Sequence, residues 1–152
     1  MKTLSFETAL ASPADAVWAH VTTMDGVNEE LGPWLRMSSP ASARGLDLRA
    51  APLGARLFRS YLLLFGVLPI DWDDLAFAAI GERSFAERST MMSMRRWEHD
   101  RSVEEHGAGC RVRDVLRFEP RVPGTSGLLG RVVAATFRHR HAQLARRFGV
   151  LT

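Results

Sequence analysis

Between Ser126 and Phe148, apolar residues recur at three- and four-residue spacing. Leu129, Val132, Val133, Thr136, Phe137, Leu144 and Phe148 fall on one face of a helix, with Arg131, Arg138, Ala142 and Arg146 on the other. Gly124 and Ser126 provide a lead-in and an N-cap, and Gly149 a stop. Such a helix is about 35 Å long, enough to cross a small sheet. Most of the chain before it alternates with the period of strands. Leu4, Phe6, Thr8 and Leu10 share one face of a strand over Lys2–Leu10. Ser12-Pro13 then reads as an N-cap and first-turn proline for a helix from Ala14 to Met24, followed by a very short helix over Val27–Leu31. A short strand is expected at Trp34–Met37, and two strands split by Gly66–Pro69 lie within Leu57–Ile80. Gly81-Glu82-Arg83 turns into a strand over Phe85–Met91, and Arg95–Glu105 and Gly109–Glu119 are the clearest strands. Between Ser38 and Gly54 the pattern is weak, with a short strand expected at 46–49. Strands flanked by helices argue for a single α+β domain with the last helix covering one sheet face.

The Gly107-Ala108 turn fixes a register. A two-residue turn there sets Val103 opposite Val112, Arg101 opposite Asp114, His99 opposite Leu116 and Trp97 opposite Phe118. The same alternation points Trp97, His99 and Arg101 into an apolar interior beside Asp114, Leu116 and Phe118. Buried charges are costly unless paired, so Arg101 and Asp114 form either a structural ion pair or the polar anchor of a ligand site with His99. His99 beside Asp114 also suits an acid–base pair, although no nucleophile or oxyanion hole accompanies it. Arg140 falls inside the apolar stripe of the last helix; it snorkels to a cavity mouth or pairs with an inward carboxylate such as Asp114 or Asp74. His139 and His141 diverge from one another. In the Asp71, Asp73, Asp74 group the alternation is expected to turn Asp73 away from the other two, so no metal site and no cofactor is expected. Trp34, Trp72 and Trp97, with Tyr61, Phe77 and Phe85, supply aromatic surface for a core or a ligand.

Composition narrows the function classes. A length of 152 residues, 46% hydrophobic and 24% charged, is ordinary for one globular domain. No apolar run approaches the ~20 residues of a membrane span, and no signal peptide is visible. One cysteine, Cys110, excludes an internal disulfide, fits a reducing cytoplasm and reads as a small buried strand residue. The charge of +3 permits weak attraction to anions. Basic and aromatic residues are not interleaved and no glycine-rich phosphate loop is present, which argues against nucleic acid as a partner.

Several stretches, in their order and spacing, resemble the START-like, helix-grip (SRPBCC) superfamily of pollen-allergen-like, polyketide cyclase/dehydratase and lipid-transfer proteins. They are Phe6 followed by Ser12-Pro13-Ala14-Asp15-Ala16-Val17-Trp18, then Gly32-Pro33-Trp34, Gly66-Val67-Leu68-Pro69, Arg96-Trp97-Glu98-His99, Arg113-Asp114-Val115-Leu116 and Phe137-Arg138-His139-Arg140-His141. The segment Ser38–Gly54 departs from that pattern. The resemblance implies a curved antiparallel sheet of six to seven strands gripping the C-terminal helix around an apolar cavity; it does not imply one activity.

The expectation is a domain that binds a small hydrophobic or amphipathic ligand: a lipid, a polyketide-like aromatic or a fatty acid. Phe6, Trp97, Leu116, Phe118, Val133 and Phe137 would line the cavity, with Trp34 and Trp72 as further ligand contacts. His99, Arg101 and Arg140 would orient a polar group beside Asp114. The alternatives are a cyclase/dehydratase-type enzyme using His99 and Asp114, and a filled-core interaction module with no ligand. A homodimer is compatible with either.

Overall fold

A computed structural model describes residues 1–43 and 50–152. Its elements are β1 (Lys2–Leu10), α1 (Ala14–Val21), α2 (Met24–Leu31), β2 (Leu35–Met37), a 3-10 turn (Ala41–Ala43), β3 (Phe58–Leu64), β4 (Leu68–Leu75), β5 (Phe77–Ile80), β6 (Ser84–Met91), β7 (Met94–His106), β8 (Gly109–Pro120) and α3 (Ser126–Phe148). The expected strand at 46–49 lies outside the described residues. One antiparallel sheet runs β1-β8-β7-β6-β4-β3-β2, with β5 also paired to β6. The strand expected to end at Ile80 breaks at Ala76 into β4 and β5, which makes eight strands among the described residues.

The β7–β8 hairpin has the expected register: Trp97 faces Phe118, His99 Leu116, Arg101 Asp114 and Val103 Val112. Gly107 takes φ +56° in its turn, a backbone conformation open to glycine. These rows order the interior. One core cluster joins Leu10, Val17, Trp18, Val103, Val112 and Leu144, between α1, the hairpin end and the second half of α3. The other joins Met91, Trp97, Leu116, Phe118 and Phe137, against the first half of α3. The Arg101–Asp114 row lies between them. Cys110 is fully buried in β8, as expected.

Two helix ends differ from the reading of the sequence. Ser12 does not cap α1; Pro13 takes that position, and the Ser12 hydroxyl donates to the Phe148 carbonyl 2.9 Å away, tying the chain's two ends together. Thr125, not Ser126, is the N-cap of α3. The α1–α2 joint is tight: a Cβ on Gly26 would sit 1.9 Å from the His20 carbonyl oxygen, so only glycine lets the two helices close into a V.

The buried face of α3 is also rotated from expectation. It comprises Gly130, Ala134, Phe137, Arg140, His141 and Leu144, while Val132 is 53% exposed. Small residues carry the first turns because the helix approaches β1 closely; a Cβ on Gly130 would meet the Lys2 side chain at 2.7 Å. Two polar side chains complete the stripe because partners await them inside.

Candidate functional site

The interior is crossed by a belt of ionic side chains from six elements. At its centre Arg101, on β7, is 1% exposed, and Asp114, on β8, is 0% exposed. Arg101 grips Asp114 with two bonds, Nε to Oδ1 and Nη2 to Oδ2, both 2.8 Å. Its remaining arm, Nη1, donates to Glu30 of α2 at 3.0 Å. Glu30, 1% exposed, also takes a bond from Arg140 Nε of α3 at 3.0 Å. Arg140 therefore pairs with Glu30, and neither Asp114 nor Asp74 serves as its partner. Both expected partners lie on strands, whereas the carboxylate that meets Arg140 sits on the neighbouring helix. Asp74 instead faces outward and is held by Arg59 and Arg56.

Two histidines complete the shell of Asp114. His99 Nε2 donates to Oδ1 at 2.6 Å. His141 Nε2 donates to Oδ2 at 2.7 Å, while its Nδ1 accepts from the Thr8 hydroxyl at 2.7 Å. Burial alone would push the Asp114 carboxyl up, but the charges of Arg101 and His99 and the bonds from Arg101 and His141 hold it well below the usual carboxylate range. Asp114 is a saturated hub: each of its two oxygens already takes two donors. His139 turns the other way and donates to the Gly32 carbonyl at 2.6 Å.

From His99 the belt continues to β6 and β4. His99 Nδ1 lies 3.7 Å from Glu87 Oε1, and Glu87 takes a bond from the Ser89 hydroxyl at 2.7 Å. Beside Glu87 stands Asp73, 4% exposed, whose Oδ1 has no hydrogen-bond partner among the described residues. Burial, and then the neighbouring Glu87, push the Asp73 carboxyl well up, whereas His99 pulls Glu87 down against its own burial. Asp71 adds to the rise in Asp73. The expectation that Asp73 would face away from Asp71 and Asp74 is corrected here. Positions 71 and 73 share a strand face, and Asp74 is the one that stands apart.

Phe6, Trp97, Leu116, Phe118, Val133 and Phe137 are brought together as one apolar cluster, bordered by the belt. Phe6 stacks on Phe137 at 5.9 Å, and His99 meets the Phe137 ring edge-on at 5.1 Å. Trp34 and Trp72 are elsewhere. Trp34 is 56% exposed and touches Phe65, and Trp72 lies under the Arg59 guanidinium on the outer face. The two described hollows also open on the outer sheet face, one beside Ser84, Asp100 and Arg113, the other beside Arg56, Asp74 and Glu98. Neither lies under α3.

The sequence pattern does not join Glu30, Glu87, Ser89, Asp73 and His141 into one network, although a signal exists for three of them. Glu30 shares a helix face with Val27, three residues before it. Glu87 alternates in phase with Phe85 and Met91, and His141 lies between Phe137 and Leu144 on the stripe.

A family model described as a domain of unknown function (DUF8410) matches residues 8–148. The chain belongs to that family. No curated protein sequence matches the DUF8410 chain. Its fold is shared with solved structures of low identity. A START superfamily protein from Mycobacterium smegmatis superposes with a TM-score of 0.70 at 13% identity, over 96% of each chain. The Zhui aromatase/cyclase from Streptomyces sp. R1128 does so with 0.67 at 14% identity, over 96% of this chain and 92% of that one. A protein from Chromobacterium violaceum gives 0.71 at 12%, over 98% and 99%. The chain therefore has the START-like helix-grip fold. Among the described residues no helix is long and apolar enough to cross a membrane.

Proposed function

We propose that the protein binds a small, largely apolar molecule on the concave side of its sheet, beneath the first half of α3. One observation carries this reading. Leu4, Phe6, Leu62, Leu129 and Val133 face the inner cluster, yet are only half-buried against Trp97, Phe118 and Phe137. The companion cluster under the second half of α3 centres on Leu10, Val17, Val112 and Leu144, each at most 1% exposed, with Phe85, Ala145 and Phe148 partly buried against it. Partly wet apolar side chains from β1, β3 and α3, gathered around three aromatic rings, are what a small apolar ligand would cover. Its removal from water would provide most of the affinity, at roughly 25 cal/mol per Å².

The saturated state of Asp114 supports binding over catalysis by the His99–Asp114 pair. Four donors already occupy that carboxylate, so it has no lone pair free to take a substrate proton. The test is fluorescence titration with the neutral probe N-phenyl-1-naphthylamine. Wild-type protein is expected to bind it saturably. Val133→Glu, which sets a charge in the cluster wall, should abolish binding while keeping the far-UV circular dichroism spectrum. Equal signals from the two proteins would overturn the reading. Native mass spectrometry of protein purified from its own host would then identify the class of any retained ligand.

A further inference from the structure

We propose that Asp73 receives the hydroxyl of the ligand, so that the site selects an alcohol or phenol and rejects a carboxylate. This inference rests on the binding reading above and adds the polar end of the ligand. Three observations carry it.

The first is an acceptor without a partner among the described residues. Asp73 is nine-tenths buried, and its Oδ1 is the buried side-chain polar atom that finds no partner among the described residues. A buried acceptor left alone is costly, and a ligand hydroxyl would remove that cost. The second is position. Asp73 pairs across the sheet with Met91, a member of the inner apolar cluster, and with Ser60 on β3, two residues before Leu62, which packs on that cluster. A molecule lying on the cluster can therefore present one end to Asp73. The third is charge. Asp71, Asp73 and Glu87 are close neighbours, whereas the interior arginines are engaged elsewhere, Arg101 by Asp114 and Glu30 and Arg140 by Glu30. A ligand carboxylate would add another like charge to this corner and find no free guanidinium. It differs from the expectation that His99, Arg101 and Arg140 would orient the polar group, because both guanidinium groups are taken up inside the belt. The raised Asp73 carboxyl agrees, because a proton shared with Glu87 leaves Oδ1 free to accept.

The experiment uses three competitors with one apolar body: decan-1-ol, its methyl ether and decanoate. Each displaces N-phenyl-1-naphthylamine from the protein at pH 7. The alcohol is expected to bind at least tenfold more tightly than the ether, which lacks the donor, and than the carboxylate. Asp73→Asn retains a carbonyl acceptor and should keep the preference for the alcohol over the ether. Asp73→Ala should bring alcohol and ether within about twofold to threefold. Equal binding of alcohol and ether by wild type, tighter binding of decanoate, or an undiminished preference in a folded Asp73→Ala protein would overturn the assignment. Probe binding that persists in those cases leaves the pocket itself standing. Failure of the probe to bind wild-type protein would sink both.

Discussion

Replacing Arg101 by methionine tests whether the ionic belt is a structural element of the interior. The side chain makes bonds of 2.8, 2.8 and 3.0 Å to Asp114 and Glu30, which are 0% and 1% exposed. Methionine follows much of the same path without a charge, so the packing loss is small and the electrostatic loss dominates. Asp114 would keep His99 and His141, and Glu30 would keep Arg140, but both would be left short of a cation in a place water does not reach. Breaking a buried pair from one side costs about 3–5 kcal/mol. Against a domain stability of about 5–15 kcal/mol this is a large fraction. At this chain length it should lower the melting temperature by roughly 6–20 °C. Urea denaturation at pH 7 measures the loss directly. The pH dependence supplies a second readout. Without Arg101, burial raises the Asp114 carboxyl, so the variant binds a proton on folding and its deficit shrinks as pH falls. Adding Asp114→Asn to the variant should recover part of the loss. A loss below about 1 kcal/mol would refute the reasoning, because it is the value of an ion pair that remains in water.

Asp73→Asn should change the slope of stability with pH. A carboxyl raised in the folded state means that folding takes up a proton, so wild-type stability falls as pH rises from the ordinary carboxylate value toward the raised one, by up to about 1.4 kcal/mol per pH unit. The variant should lose that slope and be the more stable protein at neutral pH; urea melts at a series of pH values check both. Asp114, lowered well below its ordinary value, acts at the other end: its contribution is present above the ordinary value and disappears as pH falls through the lowered one. Gly26→Ala should destabilise by about 1–3 kcal/mol in urea melts, because its Cβ meets a backbone carbonyl at 1.9 Å and not a side chain that can move. Trp34→Ala, at a site 56% exposed, should change stability by no more than about 0.5 kcal/mol and leave probe affinity as it is.

What the sequence discloses here is whatever one short-range rule decides. The β7–β8 register follows from a two-residue turn at Gly107-Ala108 and a period of two, so the meeting of Arg101 with Asp114 and of Trp97 with Phe118 is readable from the residue letters. The order of elements is legible in the same way. Contacts between elements far apart in the chain are not. No local pattern says that Glu30 on α2 will reach Arg140, 110 residues on, because that depends on how α2 and α3 are placed over the sheet. Trp34 and Trp72 illustrate a related failure: aromatic identity favours burial, but strand phase and the Arg59 stack put Trp72 on the outer face.

The rotation of α3 connects these two limits. Judged by hydrophobicity alone, its apolar stripe should centre on Val132, Val133 and Thr136, and a helix free to choose would bury those side chains. The observed face instead turns Arg140 and His141 inward together. Adjacent helical positions are about 100° apart, so both can point inward only if their partners lie on two different sides of the helix. The structure meets that condition, with Glu30 on the α2 side and Asp114 on the β8 side. Turning the helix to bury Val132 would gain about 1.5–3 kcal/mol of apolar burial. It would also strand one or both polar contacts at about 1–3 kcal/mol each, more where the group is charged. The ionic contacts therefore outweigh the apolar preference and set the rotation. With that rotation Phe137 stacks on Phe6 and Val133 borders the half-open cluster, so the belt that occupies the middle of the interior also determines which side chains of α3 line the proposed ligand site.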